Sequence, residues 1–316
     1  MIEQAAPLGT WRTRLAAVSD ALARQRHLAA ARDGVVATLP LVLIGSAFLL
    51  LAQAPFPALQ ERLAPMQGTL LAPYRMLAGL VSVFVCFGTA RSLARSLGLD
   101  ELGAALVAVA SFFVAVGAAP LEAGGWGLAA DRLGAGGLFA ALAIAMGSVE
   151  LQRFVAGRSW TIRLPPSVPE AIGKSFASIV PGFASVTAMW LVVHVAGVDL
   201  VGILAGLVQP LIGATDSLPG VLALCLVDSA MWLIGVHPLA ILAAVKPLWL
   251  SMLTENMSAA AAGAPLPHVA TRELFVWFVW QGDPAARSPR RCCCFARRAP
   301  RCERWGAWGS SRPSST

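Results

Sequence analysis

The sequence predicts an all-α, polytopic integral membrane protein with about seven transmembrane helices plus amphipathic helices. Hydrophobic residues make up 57% of the 316 residues and charged residues only 13%, whereas ordinary soluble domains carry about 25% charged residues. The apolar residues are gathered into runs near the roughly 20 residues that a helix needs to cross a bilayer. A chain with so few charges cannot cover a water-exposed surface, so we expect membrane lipid to surround much of it.

The first predicted element is a cytoplasmic, N-terminal amphipathic segment over residues 1–33. Within 11–33, arginine and glutamine alternate with leucine and valine at helical spacing, which is typical of a helix at a membrane interface. A further apolar stretch at 199–213, interrupted by glycines and a proline, predicts an interfacial or crossing helix. The predicted spans are 34–54, 74–94, 102–119, 136–154, 176–197, 218–235 and 239–253.

The distribution of basic residues between the spans predicts the orientation. Arginines are frequent before the first span, after the second and after the fourth, whereas the intervening loops 55–73 and 120–135 have no basic excess. Basic loops stay on the cytoplasmic side. We therefore expect a multi-pass protein of the cell inner (cytoplasmic) membrane with a cytoplasmic N-terminus.

The composition changes abruptly near Gly282. Residues 282–316 hold eight arginines against Asp283 and Glu303, a net charge of +6 out of the total of +7, and four of the six cysteines. The basic pI of about 9.7 therefore belongs to this tail, and it does not indicate a nucleic-acid partner for the body of the chain. The cysteines lack the spacing of a zinc site, and we expect neither a metal nor a cofactor.

Residues 215–247 are the densest polar and helix-breaking stretch inside the apolar part of the chain. Irregular backbone at membrane depth is tolerated where protein or a water-filled cavity surrounds it, and an ionisable side chain there costs about 2.5–3.5 kcal/mol. His237, between Val236 and Pro238, is a candidate to exchange a proton near neutral pH or a hydrogen-bonded structural histidine. Trp232 is a candidate stacking platform for a sugar or an interfacial tryptophan. Asn256 is a candidate hydrogen-bond partner for a hydroxyl or a helix cap.

Several segments, taken together and in order over about 32–281, resemble a known family. It is the membrane subunit, enzyme IIC, of the bacterial sugar phosphotransferase system, of the lactose, cellobiose and chitobiose type. The segments are Arg32-Asp33-Gly34, Leu39-Pro40-Leu41, Ile44-Gly45-Ser46, Leu164-Pro165-Pro166-Ser167-Val168-Pro169, Ser175-Phe176, Val180-Pro181-Gly182, Gln209-Pro210-Leu211, Ser217-Leu218-Pro219-Gly220, Trp232-Leu233-Ile234-Gly235-Val236-His237, Asn256 and Phe275.

The resemblance implies an elevator-type sugar permease. A sugar, expected to be a β-linked disaccharide such as cellobiose, would be carried across the membrane while a phosphocysteine on a separate IIB subunit phosphorylates its 6-hydroxyl. His237 would be the catalytic residue that positions or deprotonates this hydroxyl, and Trp232, His237 and Asn256 would bind the sugar. Residues 34–197 would be the scaffold and dimerisation domain of a homodimer, and 198–281 the start of the substrate-binding transport domain. The family usually has glycine where this chain has Pro238.

The tail departs from the family altogether, because the expected Gly-Gly-Ser-Gly turn and the later Asn-Glu-Pro motif do not follow residue 281. Codons for the segment 291–295, Arg-Cys-Cys-Cys-Phe, encode a leucine-rich run when they are read one base earlier. The tail is therefore predicted to be a frameshift product, and the permease to be inactive in this form. The alternatives are a basic tail attracted to anionic lipid, a non-functional membrane remnant able only to dimerise, and an unrelated intramembrane enzyme that uses His237 and Asp228.

Overall fold

A computed structural model describes residues 25–54, 56–120, 124–158, 160, 165, 173, 176–234 and 245–279. The fold is about 82% helical, which confirms the predicted all-α class. The helices are α1 Arg26–Ala52, α2 Pro57–Leu63, α3 Gln67–Gly79, α4 Val81–Ser96, α5 Glu101–Val116, α6 Ala130–Leu133, α7 Leu138–Gly157, α8 Ile179–Trp190, α9 Leu200–Thr215, α10 Leu218–Ile234, α11 Lys246–Ala261 and α12 Arg272–Leu274. Short 3-10 turns lie at Ala64–Met66 and Ala135–Gly137, and π-helical turns at Leu191–Val195 and Phe275–Val279.

A single antiparallel pair of two-residue strands, β1 Ala119–Pro120 and β2 Trp126–Gly127, is the only sheet in the described part of the chain. The chain divides into two compact units, residues Met1–Arg272 and Glu273–Thr316. Of the second unit the structure describes residues 273–279, a helical stretch in which Phe275 is buried.

Three helical stretches among the described residues are long and apolar enough to cross a membrane: Arg26–Ala52, Ala58–Ser96 and Ala135–Gly157. The bent pair formed by Ile179–Val195 and Leu200–Thr215 passes the same test as a fourth. The helices over 101–116 and 218–231 are apolar but shorter. These stretches overlap six of the seven predicted spans, and part of the seventh, 239–253, lies outside the described residues.

Two boundaries differ from the sequence-based expectation. The helix that contains the first predicted span, 34–54, begins before residue 34, because α1 starts at Arg26 and continues without a break through the predicted edge of the amphipathic segment. The predicted loop 55–73 is largely helical, as it contains α2, a 3-10 turn and the first part of α3. Its helical start is favoured by Pro57, which occupies the first helical position where its missing N–H costs nothing.

The predicted interfacial or crossing helix is α9, which is bent by 82° from the preceding helical segment. The bend falls after Val195, where Gly197 adopts a φ of +67° that side chains with a Cβ disfavour. Asp199 then starts α9 by accepting a hydrogen bond from the N–H of Gly202, and it forms a bidentate pair with Arg132 at 2.9 and 3.0 Å. Capping and ion pairing thus fix the new helix direction.

The core depends on close helix contacts made possible by small residues. Ala90, Ala105, Ala108, Ala141 and Ala145 are fully buried where α4, α5 and α7 meet. Small side chains let helix backbones approach closely, which drives helix packing in lipid. The outer surface, in contrast, carries large apolar side chains, and Leu43, Phe183 and Leu207 are 67–72% exposed. Such side chains would be unfavourable in water, but lipid can cover them.

Helix α11 runs alongside α1 in the same direction. The Ser46 hydroxyl lies 3.7 Å from the Met257 sulfur, and the side-chain amide of Gln53 donates to the carbonyl of Ala260. At the start of the two helices, the charges of Arg32, Asp33 and Arg272 act on Lys246. The start of α11 therefore lies at the same end of the bundle as the start of α1.

Candidate functional site: the cluster around His268

The structure describes the predicted sugar-site residues unequally. His237 lies in 235–244, outside the described residues, and the side chain of Trp232 is also outside them, although its backbone belongs to α10. Asn256 lies inside α11. In the sequence, His237 lies between the end of α10 at Ile234 and the start of α11 at Lys246. The proposed roles of all three residues stay predictions.

Asn256 does not cap a helix, because it lies in the interior of α11. Its amide nitrogen donates to the carbonyl of His268 at 2.7 Å, and its amide oxygen accepts from the N–H of His268 at 2.9 Å. This reciprocal pairing holds residues 262–271, which follow α11, back against the helix that precedes them. In this arrangement both heteroatoms of the predicted sugar-binding amide are engaged with the main chain.

Asp216 anchors the same loop from a different part of the fold. It lies at the corner between α9 and α10 and is 16% exposed. Its Oδ1 accepts from the N–H groups of Val269 and Ala270, at 2.9 and 2.7 Å, and its Oδ2 lies 3.0 Å from Nδ1 of His268. Burial acts to raise the pKa of Asp216, but these donors outweigh burial and hold the pKa below its ordinary value.

His268 lies between two carboxylates. Nδ1 faces Asp216, and Nε2 lies 2.7 Å from Oε2 of Glu255, whose other oxygen accepts from the Ser251 hydroxyl at 3.1 Å. The imidazole is 14% exposed. Burial alone would lower the pKa of His268, but the hydrogen bonds and charges of Glu255 and Asp216 outweigh it and raise the pKa. The arrangement therefore favours a protonated imidazole between two carboxylates.

Sequence reasoning missed this cluster. Asp216 and His268 are 52 residues apart, and although Asp216 falls in the polar stretch 215–247, His268 lies in no recognisable motif. The signal that was available is the pair Glu255-Asn256 on an otherwise apolar helix, since adjacent polar residues at such a position need partners. Within the described residues, no group of three or more His, Cys, Asp or Glu could hold a metal ion.

A cavity of about 730 Å³ lies elsewhere, at the end of the bundle where α4 connects to α5. It is lined by residues that include Arg91, Asp100, Glu101, Gln152 and Ser178. Much of its charge is compensated internally, because Glu101 pairs with Arg91 at 3.2 Å and with Arg95 at 2.7 Å. It contains neither Asn256 nor the His268 cluster.

The fold defines a polytopic helical membrane protein, and comparison with known proteins gives its family. The family model described as "Phosphotransferase system, EIIC" matches residues 32–288. The chain belongs to this family. The lactose, cellobiose and chitobiose type indicated by its sequence motifs is confirmed by the names of its relatives.

Two curated relatives illustrate the match. The chain is 32% identical over 291 residues to the putative permease IIC component YwbA of Bacillus subtilis (strain 168), covering 85% of this chain and 65% of the relative. It is 31% identical over 297 residues to the cellobiose-specific EIIC component of Geobacillus stearothermophilus, covering 86% of this chain and 65% of the relative. The chain thus spans less than two thirds of the length of either protein.

The fold is also similar to a solved structure. The transporter ChbC, the IIC component of the N,N'-diacetylchitobiose-specific phosphotransferase system, superposes with a TM-score of 0.74 at 28% identity. The match covers 84% of this chain and 66% of ChbC.

Proposed function

We propose that this chain is the membrane permease subunit of a sugar phosphotransferase system and takes a β-linked disaccharide such as cellobiose. The family match over 32–288 carries the proposal. The sugar class is supported by the names of relatives specific for cellobiose, lichenan, oligo-β-mannosides and lactose. These saccharides share β-glycosidic linkages, and ChbC acts on a disaccharide derivative of the same kind.

In the proposed reaction, the sugar 6-hydroxyl attacks the phosphorus of a phosphocysteine on IIB. His237 accepts the hydroxyl proton, a new P–O bond forms, and the P–S bond breaks with the cysteine thiolate as leaving group. A histidine suits this step because its ordinary pKa is near neutral. Trp232 stacks on a sugar ring. Asn256 binds a sugar hydroxyl after it exchanges its hydrogen bonds with the main chain of His268.

The phosphoryl donor is proposed to be a separate IIB subunit. Support comes from the lactose-specific relatives, which are named EIICB components and are matched over 46–48% of their length. We further infer a homodimer formed through residues 34–197, the proposed scaffold domain. Residues 198–281 would be the start of the transport domain.

We propose that the protein lies in the cell inner membrane with its N-terminus in the cytoplasm. The described basic side chains support this orientation. His27 at the start of α1 pairs with Glu150 near the end of α7 at 3.1 Å, and Arg153 lies on the same turn of α7. Arg91 and Arg95, near the end of α4, belong to the same end as Asp33, which accepts from Ser92 at 2.9 Å. Basic residues are retained on the cytoplasmic side of membrane proteins.

The reading frame beyond residue 282 gives the first prediction. We expect that sequencing the gene around codon 282, in genomic DNA and in the transcript, will show that the alternative frame stays open into an Asn-Glu-Pro motif. The physical reason is that this frame restores an apolar, leucine-rich run where the present tail has eight arginines. A stop codon in the alternative frame before that motif would contradict the prediction.

The second prediction tests the function. In cells that lack their own β-glucoside permeases, the frame-restored gene with IIB and the general phosphotransferase proteins is expected to accumulate labelled cellobiose 6-phosphate. His237→Gln is expected to lower this rate by about 10²–10⁴-fold, because it removes the proton acceptor. The measurement is the initial rate of phosphosugar formation, divided by the amount of permease detected on membrane blots.

His194→Gln is the matched control, since Nε2 of His194 contacts the backbone carbonyl of Val114 at 3.2 Å and is given no role in the reaction. If His237→Gln forms phosphosugar at the same rate as the unsubstituted protein, the site is misassigned. Product formed without IIB or phosphoenolpyruvate would favour an unrelated intramembrane enzyme. If the frame-restored protein is inserted but transports none of the β-linked disaccharides, a remnant that only dimerises would be the better description.

A further inference from the structure

The geometry around His268 favours a charged imidazole. Each ring nitrogen lies within hydrogen-bond distance of a carboxylate oxygen, at 3.0 Å from Asp216 and 2.7 Å from Glu255. A neutral imidazole has one N–H, so one ring nitrogen would turn a lone pair toward a carboxylate. An imidazolium donates on both sides, and charge-assisted bonds of this kind are the strong ones. The arrangement is therefore that of the protonated side chain.

The cluster joins three parts of the fold that are separate in sequence. Asp216 comes from the corner between α9 and α10, Glu255 from α11, and His268 from the loop 262–271. The N–H groups of Val269 and Ala270 complete the attachment of the loop to Asp216. Asp216 and Glu255 are the charged groups that act on the imidazole, and both are anions. Loss of the proton would thus leave two partly buried carboxylates around a neutral ring.

We propose that Asp216, Glu255 and His268 form a proton-controlled latch: protonated His268 holds the loop 262–271 against α11 and the α9–α10 corner, and loss of this proton releases the loop. Because the His268 main chain occupies the amide of Asn256, release of the loop also frees this amide. The release of the loop does not depend on the proposed function. The binding of a sugar by the freed Asn256 amide does rest on the proposed function.

The direction of the pH dependence follows from the raised pKa of His268. A group whose pKa is higher in the folded state stabilises that state fully below its ordinary pKa, about 6.5 for histidine. The stabilisation is lost as the pH rises through the raised value. The latch is thus closed in mildly acidic solution and opens above pH 6.5, in the neutral to alkaline range.

Hydrogen–deuterium exchange of the purified chain in detergent, measured by mass spectrometry from pH 5.5 to 9, tests the latch. After correction for intrinsic exchange, peptides that contain Val269 and Ala270 are expected to lose roughly tenfold or more of their protection as the pH rises, because hydrogen bonds to charged groups are stronger than neutral ones. Peptides from α7, remote from the cluster, serve as the internal reference. If the protection of these peptides in the wild type does not change with pH, that result alone overturns the latch.

His268→Gln is expected to have low protection of the loop at every pH, since glutamine keeps a donor but cannot carry the charge. Asp216→Asn is expected to keep protection at high pH, because an amide oxygen still accepts from Val269 and Ala270 and an amide N–H can donate to the neutral ring. His194→Gln should retain the wild-type profile. A pH step that persists in His268→Gln would show that another group controls the loop and would overturn the proposal. A failure of the transport assay with an intact pH step would contradict the proposed function alone.

Discussion

Replacing Gly34 by valine is expected to prevent α1 and α4 from packing and to lower the yield of folded protein sharply. A Cβ at residue 34 would overlap the hydroxyl of Thr89 and lie 2.7 Å from its backbone nitrogen and 3.0 Å from its Cα. The side-chain contact could be relieved by rotation, but the backbone contacts could not. Overpacking of a core typically costs about 1–3 kcal/mol and more when the backbone must move, so we expect a cost of at least about 3 kcal/mol.

The backbones of α1 and α4 also approach closely at the glycine on the α4 side, since a Cβ at Gly88 would lie 3.0 Å from the Cα of Gly34. The matched control is Gly147→Val, because Gly147 also lies inside a helix but the added Cβ there meets nothing within 4 Å. The measurement is the monodisperse fraction after detergent extraction, together with the thermal midpoint of that fraction. Equal behaviour of the two variants would show that α1 and α4 are not packed as described.

Much of the helical framework could be predicted from the sequence, because apolar runs of bilayer length must satisfy their backbone hydrogen bonds internally. Run length does not define where a helix starts, which is why α1 extends back to Arg26: the amphipathic stretch before it has the same helical period. The bend before α9 depends on Gly197, Asp199 and its partner Arg132. The last of these lies 67 residues away, a distance over which sequence pattern carries no information.

The site was less predictable for the same reason. Asn256 is predicted as a candidate because it follows the polar stretch 215–247 and continues the family pattern. Its partner, the main chain of His268, cannot be inferred from any side-chain pattern. His268 was overlooked because it lies in a Pro-rich loop, where polar residues usually face solvent. The fold-back of this loop onto α11 places the imidazole between two carboxylates, where it is 14% exposed. Trp232 and His237 are predicted from the helix-breaking stretch 215–247 and from the family motif, and their roles await the transport assay.

Substitution of Asp216 by alanine is expected to produce the largest loss of stability in the neighbourhood of the candidate site. The change leaves the N–H groups of Val269 and Ala270 without their acceptor and removes one of the two anions that hold His268. Removing one partner of a fully buried ion pair costs about 3–5 kcal/mol, mostly because the other charge stays buried. Because Asp216 and His268 keep 16% and 14% of their side chains exposed, we expect the lower end of this range. A loss of this size corresponds to a decrease in Tm of roughly 5–10 °C or more in a chain of this length.

Comparison with Asp216→Asn separates the two contributions. Asparagine keeps an acceptor for both N–H groups and removes the charge, so at pH 6, where His268 is protonated, it is expected to recover only part of the loss. At pH 8, where the latch is open in the wild type, the loss itself is expected to be smaller and asparagine is expected to recover most of it. Asp131→Ala is the control, since Asp131 is an exposed carboxylate in α6. Its removal is expected to change the free energy of unfolding by less than about 0.5 kcal/mol, so Tm should stay close to the wild-type value. Equal Tm values for Asp216→Ala and Asp131→Ala would mean that the loop 262–271 is not held by Asp216. Equal Tm values for Asp216→Ala and Asp216→Asn at both pH values would mean that the charge, and not the acceptor for the two N–H groups, stabilises the corner between α9 and α10.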